Sequence, residues 1–217
     1  MRMRHKPWAA EYLQEHSEYV VQQPEDYKGK WSTLSKGKPI YIEVGTGKGQ
    51  FVTEMALKYP DVYFIGIEKF ESVLVTAVQR AVDAEPDNLL FIHGDVGELD
   101  AMFASEEVQR VYNNFTDPWP KKRHEKRRLT YQSFLALYDH VLTPNGEIHV
   151  KTDNQGYFEY SLASLSHYGF ILKNISLDLH ASHHDTENVR TEYEEKFAEK
   201  GQPIYRVEAM KQLPPND

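Results

Sequence analysis

The chain has 217 residues, of which 40% are hydrophobic and 27% charged, with 12 Gly and 11 Pro. This composition excludes collagen-like, low-complexity and wholly disordered proteins, and it suits one globular domain with extensions. The chain has 0 Cys, which excludes disulfides, thiolate zinc sites, iron-sulfur clusters and a cysteine nucleophile. Its longest unbroken apolar run, residues 134–138, is too short for a membrane span, and the first ten residues have no secretory pattern. We therefore expect a cytoplasmic protein.

The charge of the chain is distributed unevenly. The formal net charge is -8, yet residues 121–128, K-K-R-H-E-K-R-R, contain six basic residues and one acid. We call residues 121–128 the basic loop. A run of this kind is either the solvated start of a helix or a surface that binds phosphates, and the residues around it must decide between the two.

Seven apolar, β-rich runs predict strands at residues 40–44, 62–67, 89–93, 111–115, 147–151, 170–177 and 204–210. Helical spacing joins Phe51, Met55 and Tyr59, and a paired apolar stripe covers residues 73–82. Two more helices are predicted at residues 131–142 and 157–168, the first stopped by a turn at residues 143–146. Residues 1–38 are weakly patterned and read as an N-terminal arm, which leaves residues 39–217 as a single domain.

Alternating strands and helices predict a doubly wound α/β fold, with a mostly parallel seven-stranded sheet and helices on both faces. The last two strands have no convincing helix between them, because residues 186–200 are polar and acidic. We therefore expect the last strand to be antiparallel. In such open sheets, ligands bind beyond the carboxyl ends of the strands, so the residues that follow each strand are the candidates for function.

A glycine-rich turn follows the first predicted strand. Gly45, Gly47 and Gly49 form a G-x-G-x-G pattern that opens into a helix. The pattern differs from the G-x-G-x-x-G of dinucleotide-binding enzymes and from the G-x-x-x-x-G-K-[ST] of phosphate-binding loops. Glycines permit a tight turn and let a ligand approach the backbone closely. By itself the pattern is equally compatible with a plain turn.

An acidic residue stands at or just after the end of each of the first three predicted strands: Glu43, Glu68 and Asp95. We call these three residues the acidic edge. Carboxylates only accept hydrogen bonds, so they suit ribose hydroxyls, an adenine amino group or an ammonium. S-adenosylmethionine carries such groups and a sulfonium, whereas a nicotinamide dinucleotide brings two phosphate charges. The acidic edge therefore favours S-adenosylmethionine, although any one of these acids can instead be a helix N-cap.

The fourth strand runs into Thr-Asp-Pro-Trp-Pro at residues 116–120, directly before the basic loop. The two prolines fix φ on either side of Trp119 and produce a stiff, extended segment. One interpretation is a stiffened turn with a buried tryptophan anchor. The other is a base-binding site, in which Trp119 stacks on a base and Asp117 accepts hydrogen bonds from guanine. The basic loop would then bind phosphates.

These residues together give the chain a resemblance to bacterial tRNA (guanine-N7)-methyltransferases, a Rossmann-like family that uses S-adenosylmethionine. Three motifs carry the resemblance: E-V-G-T-G-K-G at residues 43–49, T-D-P-W-P-K-K-R-H-x-K-R-R at residues 116–128 and T-x-Y-E at residues 191–194. The resemblance covers nearly the whole chain. The middle motif is specific to the family, whereas the first is shared by the whole class of enzymes.

The resemblance implies methyl transfer to N7 of a guanosine in the variable loop of tRNA, and it assigns roles to individual residues. Asp117 is implied to be catalytic. The residues implied to contact the cofactor are Glu43, Gly45, Gly47, Gly49, Glu68, Asp95 and Asp117. Those implied to contact the substrate guanosine are Lys121, Asp153, Thr191, Glu192, Tyr193 and Glu194. Those implied to lie on the RNA are Arg123, His124, Glu125, Lys126, Arg127 and Arg128.

Simpler interpretations exist for some of these residues. Asp153 follows the fifth strand and can be the N-cap of the next helix, and Thr191 and Glu194 have the spacing of a capping box. The cluster His180, His183, His184 and Asp185 has spacing suited to a metal. However, solvated loop histidines are the simpler explanation, and the reaction needs no metal, so we expect none.

Three alternatives to the implied function stay open. The first is methylation of another RNA position, including an exocyclic amine, because Asp-Pro-Trp-Pro distantly resembles the Asp/Asn-Pro-Pro-aromatic motif of amino-methylating enzymes. Pro120 stands where those enzymes carry an aromatic residue, which argues against it. The second is a non-catalytic RNA-binding module, and a dehydrogenase is the third. The chain is expected to act on tRNA as a monomer or homodimer.

Overall fold

The structure, a computed structural model, describes residues 5–212. Its strands are β1 Val20–Val21, β2 Ile40–Val44, β3 Tyr63–Glu68, β4 Leu89–His93, β5 Val108–Asn114, β6 Leu142–Thr152, β7 Ile171–Ser176 and β8 Tyr205–Met210. Its α-helices are α1 Ala9–Glu15, α2 Trp31–Ser35, α3 Gln50–Lys58, α4 Glu71–Ala84, α5 Leu99–Met102, α6 Gln132–Val141, α7 Gln155–Tyr168 and α8 Glu192–Ala198. Short 3-10 helices include Lys122–Arg127 within the basic loop.

The strands form one eight-stranded sheet in the order β1-β4-β3-β2-β5-β6-β8-β7. Strands β1 to β6 pair in parallel, whereas β8 is antiparallel to both β6 and β7. The predicted mostly parallel α/β sheet with an antiparallel last strand is therefore confirmed. The extra strand is β1, where Val20 and Val21 pair with Phe91 and Ile92. Two residues are too few to show any periodicity, so β1 could not be predicted from the sequence.

Successive residues of β3 point to opposite faces of the sheet, as the pleat requires. Phe64 packs with the buried residues of α1, α3 and α4. Ile65 and Ile67 pack instead with buried residues of α5, α6 and α7. The helices thus cover both faces, and the strands between them are buried in almost continuous runs. This arrangement leaves the carboxyl ends of the strands as the place for a ligand.

Two local expectations were wrong. The predicted turn at residues 143–146 lies inside β6, because Val108 pairs with Leu142 while Arg110 pairs with Glu147, so the residues between Leu142 and Glu147 bulge from the strand. The polar stretch 186–200 was not expected to form a helix, yet it contains α8. A short helix with few apolar residues has no amphipathic stripe, so periodicity could not reveal it.

The described part of the N-terminal arm packs against the rest of the chain. Ala9 and Leu13 of α1 are buried in the core cluster that contains α4. Trp31 is fully buried, and its indole N–H donates to the carbonyl of Met102 over 2.8 Å. The division of the chain at residue 39 stays a prediction. Within residues 5–212, none of the helices combines the length and apolar character that crossing a membrane requires.

Candidate active site

The glycine turn joins β2 to α3 at the carboxyl edge of the sheet. Gly45, Gly47 and Gly49 all have positive φ, at 70°, 60° and 73°. A Cβ on Gly49 would lie 2.6 Å from the Cβ of Ala77, so this glycine permits close packing of α3 on α4. A Cβ on Gly47 would find its nearest atom only at 4.0 Å, the carbonyl oxygen of Gly45. The turn is therefore closely packed against α4 at Gly49, whereas the space next to Gly47 is open.

Strands β4, β3 and β2 are neighbours in the sheet, which brings the acidic edge together at one side of the molecule. Glu68 ties the edge to the glycine turn, because its carboxylate accepts the backbone N–H of Gly47 at 3.0 Å and that of Phe70 at 2.9 Å. Phe70 itself is 48% exposed beside it. The prediction that these acids line one edge is confirmed in position; their contacts to a cofactor stay a prediction.

Asp95 both caps a helix and forms an ion pair. Its carboxylate accepts the backbone N–H of Gly97 at 2.9 Å, which is the N-cap that the sequence allowed. The other carboxylate oxygen lies 2.5 Å from the ammonium of Lys69. The hydrogen bond from Lys69 holds the pKa of Asp95 below its usual range, so the carboxylate is ionised at neutral pH.

Glu43 is the buried member of the acidic edge, with 4% of its surface exposed. The hydroxyl of Thr46 donates to one carboxylate oxygen at 2.5 Å, and the amide of Asn114 donates to the other at 2.9 Å. Burial raises the pKa of Glu43 to about 7, against the opposing effect of these two hydrogen bonds and of the nearby Lys151 charge. Glu43 thus joins the glycine turn to the end of β5.

We expect Glu43→Gln to change how stability depends on pH. Between pH 4.5 and about 7, the native carboxyl keeps a proton that the unfolded chain has released, so stability falls as pH rises. Gln removes this titration while its amide can still bond to Thr46 and Asn114. The unfolding free energy of the variant relative to wild type should therefore rise by about 3 kcal/mol from pH 4.5 to 8. Urea titrations at both pH values measure the difference, and a pH-independent difference would contradict the expectation.

The segment after β5 is held in an unusual backbone conformation. Phe115 and Trp119 both have positive φ, 50° and 41°, although neither is glycine. Such positions cost about 1 to 3 kcal/mol each and concentrate at functional sites. Asn113 and Tyr157 fix the start of the segment, since Thr116 donates to the Asn113 side chain at 2.6 Å and lies 3.3 Å from the Tyr157 hydroxyl.

The same segment presents Asp117, which is exposed to solvent. It follows β5, and β5 pairs with β2, so Asp117 lies beside the acidic edge at the point where the strand order reverses. Trp119 is half-buried. It therefore agrees only in part with the interpretation of this segment as a turn with a buried tryptophan anchor. The structure therefore brings the candidate catalytic carboxylate and the cofactor candidates to one edge of the sheet.

The basic loop contains two arginines that fold back on the chain. The guanidinium of Arg127 lies 4.9 Å from the Trp119 ring. Arg128 donates twice to the carbonyl of Trp119, at 3.1 and 3.3 Å, and its guanidinium lies 4.2 Å above the ring of Tyr160. Arg128 is half-buried. Its guanidinium therefore stabilises the loop. The sequence did not indicate this structural role.

The rest of the basic loop divides between exposed cations and packed side chains. His124 packs edge-on against Trp119 with ring centroids 5.7 Å apart. Burial, together with the neighbouring carboxylate of Glu125, raises the pKa of Tyr160 to about 12. The cations that stay exposed to solvent are Lys121, Lys122, Arg123, Lys126 and Arg127. These five side chains form a cationic surface directly after Asp117.

Tyr193 lies near the segment that carries Asp117. Its ring is 47% exposed and lies 5.4 Å from the ring of Phe115. Partial burial raises the pKa of Tyr193, and the carboxylates of Asp153 and Asp117 raise it further because both are near. Asp153 is not the N-cap of α7, since Asn154 fills that position and accepts the N–H of Tyr157. Asp117 and Asp153 thus lie near the Tyr193 side chain.

The capping box expected at Thr191 and Glu194 is confirmed at the start of α8. The Glu194 carboxylate is 0% exposed and binds Lys151 at 2.5 Å and His180 at 2.8 Å. Glu192 pairs with Arg80 and, at 3.5 Å, with Lys48. Of the predicted guanosine contacts at residues 191–194, only Tyr193 has a freely exposed side chain. Glu192 and Glu194 are engaged within the protein.

Sequence reasoning missed Lys151 and Asn114. Both stand at the carboxyl ends of buried strands, and both are buried themselves, with 4% and 9% exposed. A lysine or asparagine inside an apolar strand is a signal, because such residues are rarely buried without a partner. Both residues could therefore have been identified from the sequence as candidates, but their partners could not.

Two carboxylates at the histidine cluster of residues 180–185 are paired with cations of the chain. His180, Asp185 and Glu194 have side-chain atoms within 4.8 Å of one another. However, Glu194 is bound to Lys151, and Asp185 is bound to Arg190 at 2.6 Å. These pairs already neutralise the carboxylates, and we propose no metal for this cluster.

The chain matches the family model described as "Putative methyltransferase" over residues 37–207. It is 59% identical to a tRNA (guanine-N(7)-)-methyltransferase of Halalkalibacterium halodurans over 97% of this chain and 96% of the relative. It is 60% identical to an enzyme of the same name from Bacillus licheniformis over 96% of this chain and 98% of the relative. A third, from Bacillus subtilis, is 56% identical over 96% of this chain and 98% of the relative.

Solved structures share the fold at low identity. An antibiotic-related methyltransferase matches with a TM-score of 0.65 and 15% identity over 91% of this chain and 98% of the other. A variant of the 16S rRNA (adenine(1408)-N(1))-methyltransferase from Catenulisporales acidiphilia, solved with its cosubstrate, matches with a TM-score of 0.61 and 13% identity, covering 87% of this chain and 92% of the other. The sequence matches go further than the fold, and the chain belongs to the family of tRNA (guanine-N7)-methyltransferases.

Proposed function

We propose that this protein transfers a methyl group from S-adenosylmethionine to N7 of a guanosine in the variable loop of tRNA. The observation that carries the proposal is the position of Asp117, between the acidic edge and the exposed cations of the basic loop. The names of the relatives support the same substrate. A tRNA substrate also favours a cytoplasmic location.

The residues of the acidic edge fit S-adenosylmethionine. Each oxygen of Glu68 already accepts one N–H and keeps a lone pair for a ribose hydroxyl. The open space above Gly47 admits a ligand, and exposed Phe70 offers a ring face for the adenine. Asp95 can accept from the cofactor once Lys69 swings away, since this ion pair is exposed and weak. Glu43 stabilises the glycine turn by accepting a hydrogen bond from Thr46.

The bound cofactor supplies a methyl group on a positively charged sulfur. Guanine N7 has a free in-plane lone pair and no proton to lose, so no strong base is needed. N7 forms a bond to the methyl carbon as the carbon–sulfur bond breaks, and the electrons of that bond return to sulfur. The positive charge thereby moves to the guanine. Asp117 stabilises this developing charge. The site provides the remaining rate acceleration by orienting the base.

Tyr193 and Asp153 are our candidates for holding the guanine beside Asp117. The exposed ring of Tyr193 can stack on a base, and carboxylates accept hydrogen bonds from guanine N1–H and its amino group. Lys121 is exposed at the start of the basic loop and can bind the adjoining phosphate. Thr191, Glu192 and Glu194 contribute by fixing α8, because their side chains are bonded within the protein.

We expect Arg123→Ala with Lys126→Ala to weaken tRNA binding. Both side chains are exposed, and each phosphate contact releases a counterion when it forms. The slope of log affinity against log salt concentration should therefore fall by about one unit per lost contact, measured by filter binding over a salt series. Lys28→Ala removes an exposed charge outside the basic loop and should leave the slope unchanged. An unchanged slope in the double variant would mean that these cations point away from the RNA.

The proposal is tested with unmodified tRNA, S-adenosylmethionine and the purified protein. Reduction with borohydride followed by aniline cleaves RNA at 7-methylguanosine, so we expect one new cleavage site in the variable loop. Methyl incorporation without cleavage would indicate methylation at another atom. Calorimetry that detects tRNA binding but no S-adenosylmethionine binding would instead support a non-catalytic RNA-binding module.

A further inference from the structure

Lys151 occupies a buried position at the carboxyl end of β6. Its ammonium donates to the side chain of Asn188 and to the carbonyl of Val189, both at 2.9 Å, and it contacts the Glu194 carboxylate at 2.5 Å. An ammonium has three N–H donors, so these three partners use all of them. Lys151 therefore has no donor left for a substrate and no free lone pair to act as a base.

The same ammonium lies between two aromatic rings, 5.3 Å from the centre of Phe51 and 5.8 Å from that of Phe115. The backbone of Lys151 also accepts the N–H of Phe115 at 2.8 Å. Lys151 thus binds the segment that carries Asp117 on one side. Through Glu194 it binds the start of α8 on the other side.

This double attachment has a geometric consequence for Tyr193. Glu194 is the next residue in the chain, and its carboxylate also accepts the N–H of Thr191 in the capping box. Fixing Glu194 therefore fixes the first turn of α8. The Tyr193 ring then stands 5.4 Å from Phe115, which is two residues before Asp117, and the carboxylates of Asp117 and Asp153 are near.

We propose that Lys151 is a positioning residue for methyl transfer. Through Glu194, Asn188 and Val189, it holds α8 so that Tyr193 faces Phe115 and completes the guanine-binding space beside Asp117. The inference rests on the proposed function. It also changes the role proposed for Glu194. The resemblance implied a contact with the guanosine, whereas here Glu194 acts through Lys151.

The test uses Lys151→Met in the full-length protein, with kcat and KM for tRNA. Met keeps much of the length of the side chain but removes its charge and donors. We expect kcat to fall by about 30-fold or more, because the base is misplaced. The KM for tRNA should stay within about threefold, since the basic loop supplies most of the affinity. The Kd for S-adenosylmethionine, measured by calorimetry, should also stay within about threefold.

A second variant guards against loss of folding. Lys151→Met alone leaves the buried carboxylate of Glu194 without its cation, which is strongly destabilising. In Lys151→Met with Glu194→Gln, the charge is removed as well, and Gln can still complete the capping box. We expect this variant to fold and still show the reduced kcat. The matched control is Lys173→Met, which removes a lysine paired with Glu147 at 3.4 Å near the sheet edge and should leave kcat unchanged.

A double-mutant cycle with Tyr193→Ala distinguishes positioning from a general structural effect. If Lys151 acts by placing Tyr193, then Tyr193→Ala should cost about tenfold or more in wild type but less than threefold in the Lys151 variants. Multiplicative losses, or a paired variant with kcat within threefold of wild type, would overturn the proposal. A wild-type protein that forms no 7-methylguanosine would overturn the proposed function itself, which separates the two failures.

Discussion

Replacing Asp117 by Ala is expected to lower kcat by about 10²- to 10³-fold, the usual cost of removing one group that stabilises developing charge. The positive charge that arrives on guanine would then have no carboxylate beside it. The affinity for tRNA should persist, because the exposed cations of the basic loop are untouched. Single-turnover methylation kinetics and filter binding with the same tRNA measure the two effects separately.

Asp117→Asn is the matched control for shape. It preserves the size of the side chain and part of its hydrogen bonding but removes the negative charge. If charge stabilisation is the main effect, Asn should be nearly as slow as Ala. An Asn variant close to wild type would mean that Asp117 orients the base and that its charge matters little. A rate near normal for both variants would remove Asp117 from the mechanism.

The backbone of residues 115–119, which carries Asp117, is held in an unusual conformation. Phe115 and Trp119 are held at positive φ, which an isolated chain avoids. Arg128 compensates by donating to the carbonyl of Trp119, and the Asn113 side chain by accepting from Thr116. Hydrogen bonds therefore hold the backbone on both sides of Asp117.

The fold and the edge that carries the site were predictable, because both follow from local patterns. Apolar runs indicated the main strands, and parallel strands bring Glu43 and Glu68 to the same edge whatever the details of packing. The capping box at Thr191 and Glu194 was also readable from its spacing, since its two residues are three apart.

The sequence could not reveal which residues support the site. Lys151 binds Asn188, 37 residues further along the chain, and Asn114 binds Glu43, 71 residues earlier. Pairs this distant have no spacing rule, because the fold alone brings them together. The same limitation applies to Arg128: its charge suggested RNA, which stays a prediction, and the structure shows that the side chain also holds Trp119. The charge of a side chain indicates that it binds acceptors or anions. It does not show whether these belong to the protein itself or to a ligand.

Gly47 and Gly49 of the glycine turn should respond differently to the same change. Gly49→Ala places a Cβ 2.6 Å from the Cβ of Ala77, at a φ of +73°. The clash costs about 1 to 3 kcal/mol and the left-handed backbone about 1 to 2 kcal/mol more. We expect the melting temperature to fall by about 10 °C in the absence of ligand, measured by calorimetry.

Gly47→Ala has the same backbone penalty without the clash, because its Cβ would enter open space. Its melting temperature should therefore fall by only a few degrees. If S-adenosylmethionine packs against Gly47, however, the added methyl group occupies the space of the ligand, and the Kd should rise by about tenfold or more. Titration calorimetry on both variants measures this contrast at a temperature where each is folded. A Gly47→Ala protein that binds S-adenosylmethionine as tightly as wild type would place the cofactor away from the glycine turn, and the acidic edge would then need another explanation.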